Sequence, residues 1–174
     1  IQLLHLTRNP AAAINGLVDG WRFRGFHAHR MDAQLQIDGY DESLWWKYDL
    51  PPGWRDWTRQ RLVEVAGFQW ARAHTAILDH TAGNPIDTFR LRFEDIVGPP
   101  KTRHQRILAM LEWMGIEEDS SLQRVIREGL PPVMATVRPR QRRWFARADL
   151  IDPVLMRRDV ATTANALGYT DRSQ

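Results

Sequence analysis

Arg8-Asn9-Pro10 is the first group in this 174-residue sequence whose residue types and order suit chemistry. A guanidinium offers a rigid fork of N–H donors to an oxyanion. The amides at the start of a helix add unpaired donors and partial positive charge. Asn9 is a good N-cap, and Pro10 suits a first helical position, where its missing N–H costs nothing. A strand, this tripeptide and a helix would therefore form an anion site. An arginine that only closes a strand end is the competing reading. A second basic group lies in Met134–Arg143, where Arg138, Arg140, Arg142 and Arg143 precede Trp144. Pro131, Pro132 and Pro139 exclude a helix there. Four cations in six residues repel one another, and an anion is their natural partner.

Three further groups carry weaker signals. His27 and His29 form a His-x-His with Asp32 nearby. A metal site needs a third or fourth convergent ligand that the sequence does not single out, so a proton-acceptor role for His27 or His29 is the better candidate. Glu94 and Asp95 are adjacent, and on a strand they would point to opposite sides and could not form an acid/base couple. Trp45, Trp46, Tyr48, Trp54 and Trp57 crowd a segment rich in Pro and Gly. Such aromatics either line a ligand cleft or build a small core that pins a long excursion.

The elements that must position these residues follow from hydrophobic spacing. Ile1–Thr7 reads as a strand, and Ala11, Ile14, Leu17 and Val18 as the face of a helix. Residues 25–57 read as an irregular, aromatic-rich excursion. Leu62, Ala66, Trp70, Ala73 and Ile77 predict a long helix between Thr58 and Gly83. Phe89, Leu91 and Phe93 alternate with arginines as a second strand. Ile107, Leu108, Leu111 and Met114 mark a helix closed by Gly115, and Leu122, Val125 and Ile126 mark another. Asp152-Pro153 reads as the cap and first residue of a closing helix that runs to Gly168. Trp70, Trp113 and Ile77 are expected in the core. Strands separated by long helices predict an α/β class with a parallel sheet covered on both faces, in one domain over residues 1–174.

Composition narrows the function classes. There is no cysteine, so disulfides, thiolate metal sites and a cysteine nucleophile are excluded, and a cytoplasmic location is expected. The only lysines are Lys47 and Lys101, yet the net charge is just +3 because acidic residues are interleaved. That interleaving argues against a nucleic-acid partner, and the lack of a long apolar run argues against a membrane span.

Several of these segments together resemble the PAPS-dependent sulfotransferase superfamily, of the bacterial type. Leu6-Thr7-Arg8-Asn9-Pro10 is similar to its strand-Arg-Asn/Asp-Pro element. Gln69-Trp70 is similar to a recurring helical pair, and Arg90-Leu91-Arg92-Phe93-Glu94-Asp95-Ile96 with Pro99-Pro100 to its "R-[YF]-E-D-L, proline" segment. Leu111-Glu112-Trp113-Met114-Gly115-Ile116, Arg143-Trp144 and Leu167-Gly168-Tyr169 are similar to the segments that follow. The pieces occur in the right order over almost the whole chain.

The resemblance implies a P-loop-like parallel sheet flanked by helices, here as the C-terminal part of the fold. It implies transfer of a sulfuryl group from PAPS to a hydroxyl or amine of a small-molecule or glycan acceptor. This chain would hold the 3′-phosphate and adenine of PAPS, or of the product PAP, with no metal. Arg8 and Asn9 are implied at the 3′-phosphate, Phe93 near the adenine, and the basic loop over the same phosphate, with Arg138 and Arg140 favoured and Arg142 and Arg143 left to solvent. Two departures stand out. Gly16 occupies the place of a family serine whose hydroxyl bonds that phosphate, a bond worth about 1.5–3 kcal/mol when one partner is charged. Phe93 replaces a frequent tyrosine. The family's 5′-phosphosulfate loop and catalytic base belong to a region preceding the Arg-Asn-Pro element, so these residues alone are expected to be inactive. A non-catalytic nucleotide- or partner-binding domain of the same fold is the alternative. A third reading, a nucleotide or small-molecule kinase of the wider P-loop group, would need a Walker-type loop upstream with an Mg²⁺ ligand.

Overall fold

The computed structural model describes residues 1–23, 26–117, 119–128 and 143–170. In chain order the elements are β1 (Gln2–Thr7), α1 (Pro10–Trp21), β2 (Ala28–Arg30), β3 (Trp45–Lys47), a 3₁₀ turn (Trp54–Trp57), α2 (Leu62–Ala82) and β4 (Asp87–Arg92). They continue with α3 (Phe93–Val97), α4 (Pro100–Met114), α5 (Ser120–Glu128), a second 3₁₀ turn (Arg143–Arg147), α6 (Ala148–Leu155) and α7 (Arg158–Ala166). The chain divides into two compact units, one formed by Ile1–Asn9 and Ile77–Ala135, the other by Pro10–Ala76 and Thr136–Ser173.

The first unit is built on a parallel pair. β1 and β4 run side by side with Leu4 opposite Phe89 and Thr7 opposite Arg92. The expected mixed α/β class with a parallel pairing is therefore present, as a sheet of two strands. Among the described residues the sheet is covered more on one face than on the other: His5 and Thr7 are buried, whereas Leu4 and Leu6 on the alternate face are 40% and 50% exposed. Strand periodicity places side chains on faces but does not supply the layer that covers them. Ile107, Leu111 and Ile126 form the core between α4 and α5, with Ile96 and Leu122 packed against it. Pro100 starts α4 without loss of a helical bond, and Gly115 ends it at φ 67°, a left-handed conformation that a side chain disfavours. Trp113 is not core. Its indole N–H donates to Asp87 at 2.8 Å and its ring leans on Phe89, half-buried at the side of the sheet. Ile77 is likewise only half-buried, while Trp70 is in the core as expected.

The second unit buries the larger core, with Ile14, Val18, Trp21, Trp46, Leu62, Val65, Ile151, Val154 and Val160 nearly inaccessible. Each such side chain contributes on the order of 1.5–3 kcal/mol by leaving water. The first ten residues of α2 are buried almost all round, which masks the one-sided pattern expected of a surface helix. Gly67 lets the Val154 side chain pack directly onto the helix there, because a Cβ on it would clash with a methyl of Val154. The excursion contains a short antiparallel pair, β2 with β3, in which His29 faces Trp46. The closing helix expected from Asp152-Pro153 is in fact two helices. α6 already begins at Ala148 and carries Pro153 near its end, and α7 follows from Arg158. The apolar Leu150-Ile151 pair extends the helical pattern ahead of the proline, and the missing proline N–H costs one bond in a helix that stops two residues later.

Candidate anion site at the parallel strand ends

Register decides which residues meet at the end of the small sheet. Thr7 and Arg92 are the last paired residues of β1 and β4, so Arg8 and Phe93 leave the two strands side by side. The Arg8 side chain is exposed, and its guanidinium carbon lies 4.7 Å from the centre of the Phe93 ring. A cation over an aromatic face is attracted by the ring quadrupole. The two residues expected at the phosphate and the adenine are thus in contact.

Asn9 is 5% exposed, and its backbone N–H donates to Oε1 of Glu94 at 2.8 Å. An anionic oxygen therefore already sits on one amide beside Arg8. Glu94 and Asp95 lie on α3 rather than on a strand, which corrects the strand argument while leaving its consequence intact. Glu94 turns to Asn9, whereas Asp95 pairs with Arg106 at 3.4 Å. Arg106 also donates to the carbonyl of Arg90 at 3.0 Å and lies over Phe89, tying α4 to β4. Behind the strand ends His5 is 2% exposed, and desolvation, with a smaller contribution from Arg90, lowers its pKa.

The other expected site residues belong to the second unit or lie outside the described residues. Gly16 is exposed on α1. Arg138 and Arg140, with Arg142, lie outside the described residues. Arg143 does not face solvent as expected. Its Nη1 is 2.9 Å from Asp19, and Arg147 donates to the other oxygen of that carboxylate at 2.7 Å and to Asn15 at 3.0 Å. The 3₁₀ turn brings residues four apart onto one acid, an arrangement that a run of arginines read as a loop did not reveal.

His27 and His29 touch edge to face, with ring centres 4.7 Å apart. Among the described residues no three His, Asp or Glu side chains gather as metal ligands. His29 acts electrostatically on Asp49, whose pKa is raised chiefly by desolvation, with a backbone hydrogen bond and His29 opposing.

The aromatics of residues 25–57 mainly build a core. Trp21 contacts Tyr40 and Trp46 edge-on at 4.8 and 5.1 Å, and Trp46 leans on Trp54 at 5.3 Å. Gln69 holds this cluster. Its side-chain carbonyl accepts from the Trp21 indole at 2.8 Å, and its amide donates to the carbonyls of Lys47 and Asp49 at 2.9 and 3.1 Å. Lys47, 2% exposed, pairs with Glu42 at 3.2 Å. Nothing in the alternation of the segment marked Lys47 as buried. Tyr48 sits at φ 64° with its hydroxyl pushed up to a pKa of about 12 by desolvation and by Asp19. No helix among the described residues is long and apolar enough to cross a membrane. Compared with known proteins, the chain matches no family model, no curated protein and no solved structure.

Proposed function

We propose that this chain binds the 3′-phosphate and adenine of PAPS and serves sulfuryl transfer to a hydroxyl or amine acceptor in a P-loop-like fold. One observation carries the reading. The parallel register of β1 and β4 sets Arg8 against Phe93 at the carboxyl ends of the strands, the edge at which open α/β sheets take ligands. Arg8 then binds two phosphate oxygens through its fork, and the Phe93 ring packs near the base. In the transfer itself the acceptor oxygen or nitrogen bonds to sulfur while the bond from sulfur to the 5′-phosphate oxygen breaks. PAP leaves with that electron pair, and the acceptor proton passes to a base.

Glu94 tunes the site. Its carboxylate on the Asn9 amide reduces the local positive potential, so the arginine fork, rather than the amide, carries the phosphate. Gly16 offers no hydroxyl, which favours the second reading, a nucleotide-binding domain without catalysis.

Calorimetry with adenosine 3′,5′-bisphosphate and AMP tests the proposal. Binding is expected to prefer the bisphosphate, and Arg8→Ala to weaken it by at least about tenfold, one charged hydrogen-bonding contact being worth roughly 1.5–3 kcal/mol. Arg59→Ala, on an exposed residue of the second unit, is the control. Equal affinity for both nucleotides, or equal effects of the two substitutions, removes the donor site.

A further inference from the structure

An open groove of about 680 Å³ lies within the second unit, lined in part by Trp57, Arg72, Thr75, Arg157, Arg158 and Asp159. Trp57 and Arg157 form part of its wall, and the buried Phe68 ring backs them as the end of a column. Trp57 lies on Phe68 with ring centres 4.7 Å apart and planes 15° from parallel, and the Arg157 guanidinium carbon is 4.2 Å from the centre of the Trp57 ring. Arg157 is held over that ring by three donated bonds: Nη1 to the Glu64 carbonyl at 2.9 Å, and Nε and Nη2 to the two Asp159 oxygens at 3.2 and 2.5 Å. A guanidinium fixed in this way is a rigid flat surface, and flat rings stack on it.

Charge sets the second requirement. Asp159 is taken up by Arg157, and among the described residues that line the groove there is no second acid beside the exposed Arg72 and Arg158. A neutral ring would use the column and ignore these cations, and a simple inorganic anion would use the cations and ignore the column. A flat ring bearing an oxyanion uses both.

We propose that this groove binds small planar aromatic oxyanions, with the ring against the Trp57–Arg157 end of the column and the anionic group between Arg72 and Arg158. The inference is independent of the nucleotide reading, which rests on Arg8 and Phe93 of the first unit.

Titration of the full chain with 2-naphthoate, followed by amide chemical shifts, tests it. Saturable shifts are expected at Arg72, Thr75 and Thr162, which border the groove. The neutral isostere 2-naphthamide should bind at least about tenfold more weakly, and the double variant Arg72→Gln/Arg158→Gln should lose a similar factor for naphthoate but not for naphthamide. Both replaced side chains are exposed, so the fold is expected to persist in the variant. Replacing naphthoate by 2-naphthyl sulfate distinguishes the anionic group: retained binding supports recognition of charge on a ring. Shifts that do not saturate, equal binding of naphthoate and naphthamide, or undiminished binding by the double variant would overturn the proposal.

Discussion

Replacing Gln69 by leucine keeps a similar volume in the middle of α2 and removes every polar atom that joins Trp21 to the β3 segment. The amide is 2% exposed, so no water substitutes easily. Its loss leaves the Trp21 indole N–H without its acceptor and the Lys47 carbonyl without its side-chain donor. The Asp49 carbonyl is less affected, because the Trp46 indole also donates to it at 2.7 Å. Two buried polar groups that lose a partner at about 1–3 kcal/mol each give a destabilisation of roughly 2–6 kcal/mol. Leucine adds some apolar burial, which places the expectation in the lower half of that range. Equilibrium denaturation in urea, read by tryptophan fluorescence, measures it, and an unchanged slope with a lower midpoint identifies a stability effect. Gln69→Glu separates the contributions further, since it retains an acceptor for Trp21 but loses both donations and buries a charge near Asp49, and it should be worse than leucine. If Gln69→Leu shifts stability by less than about 1 kcal/mol, the bridging account is wrong and packing alone holds the cluster.

Two further outcomes follow from close approach and from burial. A Cβ at Gly20 would lie 1.5 Å from the Tyr48 hydroxyl, whose residue already occupies a left-handed backbone conformation, so Gly20→Ala should destabilise by about 1–3 kcal/mol despite alanine's better helix propensity. A neutral or stabilising result in thermal unfolding would show that Tyr48 moves aside freely. His5 has a folded-state pKa below its ordinary 6.5, so the unfolded chain binds its proton first as pH falls. Its contribution to stability is therefore steady above about pH 6.5, declines as pH drops toward the folded-state value, and levels off below it. Unfolding measured at about pH 7.5 and about pH 5.5 should show a larger loss for the natural chain than for His5→Gln, and equal losses would refute the assignment.

Much of the local structure was legible in the residues themselves. The apolar run of β1, the Asn9-Pro10 start and the glycine after α4 are local physics, and each marks an element that the structure shows. Where the same reasoning failed, a long-range contact had overridden it. Phe93 looked like the last alternating residue of a strand, but the pairing with β1 stops at Arg92 and the chain turns into α3. Pro153 looked like a helix start, yet the burial of Ile151 and Val154 supports a helix around it. Trp113 had the spacing of a core residue and became a hydrogen-bonded residue at the side of the sheet.

The candidate site divides in the same way. The sequence by itself determined that an arginine would sit between a strand and a helix and that aromatics would crowd residues 25–57. Only tertiary structure decided that Arg8 rests on Phe93, because that contact depends on which strand pairs with which and in what register, over a separation that no local pattern encodes. It likewise decided that Arg143 and Arg147 share Asp19, that Gln69 joins three segments, and that Arg157 covers Trp57. A charged or amide side chain carries no sequence mark of its partner, since its hydrogen-bonding geometry is satisfied by whatever the fold brings within about 3 Å.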